Sequence, residues 1–516
     1  MIFGDADRAR FALNSLRAGL AFALRTGASD PRWLALQASR KFPQFVPQAL
    51  RAWLEPSDNP FAGISLRDAR EIQSPDFRIE MGQGVRCSGL GRNTRPPVPL
   101  SPAGSGVRVL HVLTSSLPYT QSGYSLRSHA VLKAQRQAGI DARALTRLNY
   151  PLVIGAWPRE PEREIDGVRY RAVVAPHWPG READRLQLQA QQTLTQLERW
   201  ETEDGWRPDL IHTTTDFRNA LVAQAVAGAL DIPWVYETRG ERELTWLQSV
   251  PPEQQPLARN SSFFRSWRDK ETQMTKSAAA VVALSNVQRE GLIARGISPE
   301  KISVVPNALW TSEIGAAANK SAARAQLGLP ESAAIFGSIS SVVPYEGFET
   351  AIEALAKLRS AKPESDWHFI LVGSGTALPA LKSRAEELAL GDCVHFVGKI
   401  PQSEIGPWYD ALDCFVIPRV DSPLTRSVTP IKGLQAAAHG IPIVASDLPA
   451  LKEVTPDEPA GMLVPPSDPS ALAAAIQRAT STEPAALAAS AQEFARARTW
   501  EANAERYNSL YHAILS

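Results

Sequence analysis

Three cysteines in 516 residues, at positions 87, 393 and 414, are too few and too far apart for a disulfide framework or a cysteine-rich metal site. They fit a reducing compartment, each thiol serving as a small apolar filler. Charge of one sign is missing too. Lys and Arg number 55 and Asp and Glu 54, a formal net charge of +1, so no global field favours nucleic acid as a partner. No run of about 18 apolar residues occurs, so no transmembrane helix is expected. The first 25 residues do not fit a secretory signal: Arg10, Arg17 and Arg25 interrupt them, and no clean apolar centre precedes a cleavage site. The expectation is a cytoplasmic protein, long enough for about three domains.

What is present is ordinary globular chemistry, 44% hydrophobic and 21% charged. Residues 1–81 read as a helical N-terminal extension, with Phe11, Leu16, Leu20 and Leu24 at near-helical spacing. Arg17 and Arg25 flank that stripe, which allows two readings. One is a helical preface docked on the main body. The other is peripheral contact with the inner face of a membrane. Residues 82–106 are rich in Gly, Pro and Ser, which is linker chemistry.

From Val107 onward, continuous apolar runs alternate with amphipathic segments. VRVLHVLTSS, PDLIHTTT and IPWVYETRG read as strands in the first half, and AAIFGSIS, WHFILVGSG, DCFVIPR and IPIVAS in the second. Buried strands separated by helices predict α/β domains with parallel sheets covered on both faces. The length suits two doubly wound domains, 107–305 and 306–490, closed by a helix at 491–516. Open parallel sheets bind ligands beyond the carboxyl ends of their strands, which directs attention to the loops there.

RSVTPIKGLQAAAHGIPIVAS, residues 426–446, reads as a loop, a short helix, a glycine stop and a strand. Thr429 is the expected cap, Pro430 suits the first turn and Gly440 suits the position after the last. Lys432, Gln435 and His439 share one face. Arg426, Lys432 and the positive helix end together offer what a diphosphate needs. Arg419 ends the preceding strand, and Gly373, Ser374 and Gly375 form a strand-to-helix turn whose N–H groups can approach an anion.

Taken in order, VVPN at 304–307, VGSGTALPAL, VHFVGKIPQSEI, WYDALDCFVIP and GLQAAAHGIPIVASDLPALKEV resemble the family 4 glycosyltransferases. SGYSLRSHAVLKAQRQAG and PDLIHTTTDFRNALVAQAVAGALDIPWVYETRGERE resemble a bacterial subgroup of that family, so the likeness runs over roughly residues 107–500. The resemblance implies the GT-B fold, two Rossmann-like domains facing each other across a cleft. It implies a nucleoside diphosphate sugar as co-substrate, no other cofactor, no metal, and hexosyl transfer with retention. A glycan, a lipid-linked molecule or a small molecule would be the acceptor, in polysaccharide or glycoconjugate synthesis. The closing helix would cross back to the first domain.

By the same resemblance, Ser341, Gly373, Ser374, Gly375, Arg419, Thr429 and Gln435 bind the donor, with Gly123 and Tyr124 in a loop facing it. Arg426 and Lys432 stabilise the leaving diphosphate. His212 contacts the transferred sugar, unless it is a structural histidine. Arg127, Glu237 and Arg239 serve the acceptor or sugar. Five positions depart from the common pattern. Gln435 stands where many relatives have a ribose-binding Glu, and Ser427 where they have an earlier one. Ser341 and Glu346 stand where many carry Arg and Lys. Thr214 replaces a second His. These departures keep a second expectation open, a homologue that binds nucleotide or glycan without transferring.

Overall fold

The structure, a computed structural model, describes residues 106–315 and 319–516. The expected extension at 1–81, its membrane contact and all but the last residue of the 82–106 linker lie outside the described residues. The chain divides into two compact units. The first holds the described residues up to Ala283, with Arg295–Ser303 and Ala504–Ser516. The second holds Leu284–Ala294 and Val304–Asn503.

The first unit is an eight-stranded sheet in the order β3-β4-β2-β1-β5-β6-β7-β8. Its strands are β1 (Arg108–Leu113), β2 (Asp141–Thr146), β3 (Glu162–Ile165), β4 (Val168–Arg171), β5 (Leu210–Thr214), β6 (Trp234–Glu237), β7 (Ala280–Ala283) and β8 (Ile302–Val304). Pairings from β4 to β7 are parallel, and β3 runs antiparallel to β4. The helices α1 (Gly123–Gln137), α2 (Phe217–Leu230) and α3 (Ser262–Ser277) start on side-chain caps from Ser122, Asp216 and Ser261. Each cap satisfies an N–H that the first turn leaves without a partner. The chain leaves β1 toward β2 on one side and returns to β5 on the other. The carboxyl ends of β1 and β5 are therefore the switch point of this sheet.

The second unit is a six-stranded parallel sheet in the order β11-β10-β9-β12-β13-β14. Its strands are β9 (Ala334–Ile339), β10 (Trp367–Val372), β11 (Val394–Gly398), β12 (Cys414–Ile417), β13 (Ile443–Ser446) and β14 (Gly461–Val464). Counted from β9, that is the dinucleotide-fold order 3-2-1-4-5-6, with its switch point between β9 and β12. Alternate residues feed opposite cores. Phe336, Phe369, Leu371, Cys414 and Val416 face one cluster, and Ile335, Ile370, Val372, Phe415 and Ile417 the other. The first cluster is closed by α4 (Phe348–Ala361), and the second by α6 (Lys432–Ala438), which follows α5 (Leu378–Glu387) in the chain. A fully buried side chain of this size contributes about 1.5–3 kcal/mol, so the strands are apolar throughout rather than alternating.

Two expectations about elements need correction. Helix α6 begins at Lys432, with Ile431 in the cap position and no side-chain cap, so Thr429 and Pro430 precede it as coil. Gly440 does follow the last turn at φ +74°, where a side chain would be strained. The closing segment is two helices, α7 (Pro484–Arg496) and α8 (Trp500–Leu515). Only the part of α8 from Ala504 belongs with the first unit.

Candidate functional site

At the switch point of the second unit, the loops after β9 and β12 lie backbone to backbone. Val420 N donates to Tyr345 O at 3.1 Å. A side chain on Gly347, which has φ +73°, would sit 1.9 Å from Pro418 O. Only glycine permits that approach. Two side chains clasp the same place. Arg419 donates through Nε and Nη2 to both oxygens of Glu346, at 3.1 and 2.8 Å, and through Nη1 to Val428 O at 2.8 Å. Burial alone would raise the Glu346 pKa, but the guanidinium holds it below the usual carboxylate range.

Lys432 projects from the first residue of α6 to donate to Ser340 Oγ, at the end of β9. It makes no carboxylate ion pair within 4.0 Å among the described residues. Desolvation pushes its ammonium down to about 8, opposed by Glu346 and reinforced by Arg419. Glu346 and Arg419 cancel, and Lys432 is the cation left over. The loop thus has one net positive charge at the place where a Rossmann-ordered sheet receives ligands.

The other expected donor residues fall differently. Arg426 is more than half exposed and paired with Asp421 at 2.5 and 2.6 Å. Its charge is therefore already met, and the expectation of a free cation there is corrected. Arg419, likewise, is committed to Glu346 and Val428. Gly373 and Gly375 are glycines for a steric reason. A Cβ on Gly373 (φ +144°) would lie 1.7 Å from Ser340 O, and one on Gly375 would lie 2.1 Å from Val342 O. The Gly373 N–H is spent on Gly398 O at 2.9 Å, so the turn packs against the β9 loop instead of offering that donor to an anion. Ser341 and Ser374 are exposed. Thr429 turns its carbonyl to Asn307 Nδ2 at 3.5 Å, and Gln435 Oε1 accepts from the buried Tyr409 hydroxyl at 3.1 Å.

The switch point of the first unit opens into a pocket of about 300 Å³. Thr114 and Ser115 follow β1, Thr214 ends β5 with Thr215 after it, and Arg239 follows β6. Tyr124 and Ser128 reach it from α1. Most of the residues that line it are Ser, Thr or Tyr. Thr214 is among them. Gly123 is the first residue of α1, and a side chain there would meet nothing within 4 Å.

Behind the pocket lies a buried polar network. Glu237 is fully buried and accepts from Arg127 Nε at 2.8 Å, Arg239 Nε at 2.6 Å and the Tyr507 hydroxyl at 2.6 Å. Burial opposes its ionisation, yet Arg239 and Arg127 hold its pKa well below the usual carboxylate range. His212 shares Tyr511 Oη through Nδ1 at 2.6 Å, stacks on His111 at 4.7 Å, and has Nε2 3.3 Å from Glu237. Burial lowers both imidazoles, so they are neutral. His212 has no exposed surface and does not line the pocket. Its expected place on a reacting surface is corrected to the network behind one. Glu237 and Arg127 lie there with it, whereas Arg239 also faces the pocket, donating to Ser128 Oγ at 2.7 Å.

Several residues of these sites carried no sequence signal. Tyr507, Tyr511, His111 and Gln135 acquire partners only through folding, across sequence separations of 24 to 380 residues. Among the described residues no group of three or more His, Cys, Asp or Glu is arranged to hold a metal, and no helix is long and apolar enough to cross a membrane.

Comparison with known proteins places both halves of the chain. The family described as glycosyl transferases group 1 matches residues 333–482, and the glycosyl transferase 4-like domain matches residues 122–308. A D-inositol 3-phosphate glycosyltransferase of Streptomyces scabiei is 26% identical over 445 residues, 80% of this chain and 95% of the relative. One from Streptosporangium roseum is 29% identical over 48% of this chain and 58% of its own. Among solved structures, sucrose-phosphate synthase from Thermosynechococcus elongatus superposes with a TM-score of 0.60 at 23% identity, covering 79% of this chain and 98% of that one. Anabaena HepE in complex with UDP and glucose gives 0.57 at 18%, covering 78% and 98%.

Proposed function

The chain belongs to the family 4 glycosyltransferases of GT-B fold, and on that footing we propose that it moves a hexosyl group from a nucleoside diphosphate sugar to an acceptor hydroxyl with retention. The observation that carries the donor half is Lys432. It is a desolvated cation without a carboxylate partner, at the switch point of a sheet with the dinucleotide-fold order. A structural neighbour that holds UDP and glucose supports a donor of that class. Ser340, Ser341, Thr429 and Gln435 surround the same loops and would hold the phosphates and ribose. The pocket of the first unit would hold the acceptor.

In the reaction, the bond from the anomeric carbon to the diphosphate oxygen breaks, and a bond to the acceptor oxygen forms on the same face. The acceptor proton passes to the departing phosphate, so no carboxylate base is needed. Lys432 lowers the barrier by meeting charge that grows on the leaving group. Neither a metal nor a cofactor beyond the co-substrate enters this scheme. Polysaccharide or glycoconjugate synthesis is the setting that fits it.

A thermal-shift panel of UDP, GDP, ADP and their sugars tests the donor site, since a ligand that binds the folded state raises its apparent stability. At least one nucleotide and its sugar should raise the melting temperature of the wild type and, at the same concentration, raise that of Lys432→Ala by less. A panel without any response would remove the donor site. A second reading has its own support: Gln435 is engaged by Tyr409 and Arg426 by Asp421, which leaves one cation to hold a diphosphate. That pattern suits a homologue that binds without transferring. It would bind a panel member yet release no UDP or GDP from its sugar when acceptor extracts are present.

A further inference from the structure

The loops at the carboxyl ends of β1, β2 and β4 exclude charge. Residues 114–126, 148–158 and 172–180 make up 33 positions without one Asp, Glu, Lys or Arg, where the chain's 21% would supply about seven. Arginines stand only at the ends of these runs, Arg147 and Arg159 around the second and Arg171 and Arg181 around the third. The loops after β5 and β6 are unlike them, carrying Asp216, Arg239, Glu241 and Arg242. Strands β4, β2 and β1 are neighbours, so the three uncharged loops lie side by side. Hydrogen bonds join them into one layer. The Tyr150 hydroxyl donates to Ser116 O at 2.8 Å and lies 2.8 Å from Thr120 Oγ1. Asn149 N donates to Val173 O at 2.7 Å, and Asn149 Oδ1 accepts from Ala175 N at 2.8 Å.

This layer brings apolar side chains to the surface. Six large apolar side chains stand exposed among the described residues, and Tyr124, Leu126, Ile154 and Trp157 are four of them. Trp157, at the tip of the β2 loop, is 50% exposed. Backbone donors in the layer are few and occupied. Five of the 33 residues are prolines, which bring no N–H. Ile154 N donates to Pro151 O at 3.0 Å and Gly155 N to Leu152 O at 2.9 Å. Such a surface leaves water at low cost.

Interfaces between proteins are about as apolar as other surface and favour arginine within them. Complete exclusion of charge from three adjoining loops, with aromatic tips and arginines at the margins, suits a lipid layer instead. There a charge is costly among acyl chains and favourable beside headgroup phosphates. Arg159 and Arg181 are exposed, but Glu160 and Glu182 follow them in the chain, so apolar contact and not net charge supplies the attraction. We propose that this face of the first unit docks on a lipid bilayer, with Ile154 and Trp157 entering its interfacial layer. The docking does not depend on the transferase reading. Joined to it, the contact sets the pocket, whose wall includes Tyr124, beside the bilayer and brings a lipid-anchored acceptor within reach.

The test is cosedimentation of the full chain with phosphatidylcholine vesicles, with and without phosphatidylglycerol. Wild type should bind both, and added salt should change little, since screening acts on charge and not on apolar burial. Ile154→Asp and Trp157→Asp should each weaken partition about tenfold while melting as wild type does. Leu463→Asp, at an exposed apolar position of the second unit, is the matched control and should partition as wild type. Acyl chains carrying bromine should quench the tryptophan emission of wild type more than that of Trp157→Phe. Absence of cosedimentation, or a partition untouched by both loop variants, overturns the proposal. So does binding that requires phosphatidylglycerol and disappears in salt, which would belong to a basic segment elsewhere in the chain. A dimer that Trp157→Asp splits, in protein that ignores vesicles, would reassign the face to a second copy of the chain. Because partition is measured without donor or acceptor, its failure and the failure of glycosyl transfer are separate outcomes.

Discussion

Lys432 is the residue on which the proposed donor site turns, and its environment makes a pH-dependent forecast. Its ammonium loses the proton near pH 8 in the free protein, because burial outweighs the pull of Glu346. A bound diphosphate would favour the charged form and raise that value, so binding takes up a proton at pH values between the two. The cationic form dominates at pH 7, and affinity should be steady below it. As pH climbs past about 8, affinity should fall by up to tenfold per unit. Calorimetric titration of the responding nucleoside diphosphate at pH 7, 8 and 9 checks this, and a constant affinity would remove Lys432 from the site. Lys432→Ala should weaken the same binding by about 1.5–3 kcal/mol, the scale of a charge-assisted hydrogen bond. At this scale the sequence was a partial guide. It located Lys432 and Arg426 by helix spacing and resemblance, but which of two neighbouring cations is already paired depends on where Asp421 turns. No local pattern contains that.

At the scale of elements, the two glycine turns of the second unit are packing devices. Gly373→Ala would drive a Cβ into Ser340 O at a φ that side chains rarely adopt. It should cost more than about 2 kcal/mol by combined strain and overpacking. Gly391→Ala, whose Cβ would meet nothing within 4 Å, is the matched control and should be tolerated. Thermal melts of the pair decide it; equal stability would mean that the loop relaxes freely. Helix α8 makes a parallel case in the first unit. The Tyr507 hydroxyl gives a buried carboxylate one of its donors at 2.6 Å, so Tyr507→Phe should destabilise by about 1–3 kcal/mol. A melt unchanged from wild type would show that Glu237 is satisfied by its two arginines alone. Glycine and helix signals marked these elements in the sequence. Their partners did not show, because Gly373 meets Ser340 and Tyr507 meets Glu237 across a fold, and periodicity records only neighbours along one element.

For the whole molecule, alternation of buried runs with amphipathic segments was enough to read two parallel α/β units and a division near residue 305. The chain passes between the units at several points, with Leu284–Ala294 and Val304–Asn503 in the second and Arg295–Ser303 and Ala504–Ser516 in the first. Such runs are legible because a strand covered on both faces must be apolar along its length, and β9, β10 and β12 feed two cores each. Less was visible where polarity is mixed. The short strands β3 and β4, and the helix Glu182–Asp204, which has a charged outer face, escaped the reading. Departures from the family pattern were visible as letters, yet their meaning needed coordinates. Glu346 proves to be the partner of Arg419, which leaves Lys432 as the uncancelled charge. The claim that joins these scales is transfer from a nucleotide sugar at that charge. It is tested most directly by measuring acceptor-dependent release of nucleoside diphosphate from a panel of nucleotide sugars, by wild type and Lys432→Ala in parallel. The account expects one sugar to be turned over by wild type and at least tenfold more slowly by the variant. Equal rates for the two proteins, or no release from any sugar with any acceptor, would contradict it.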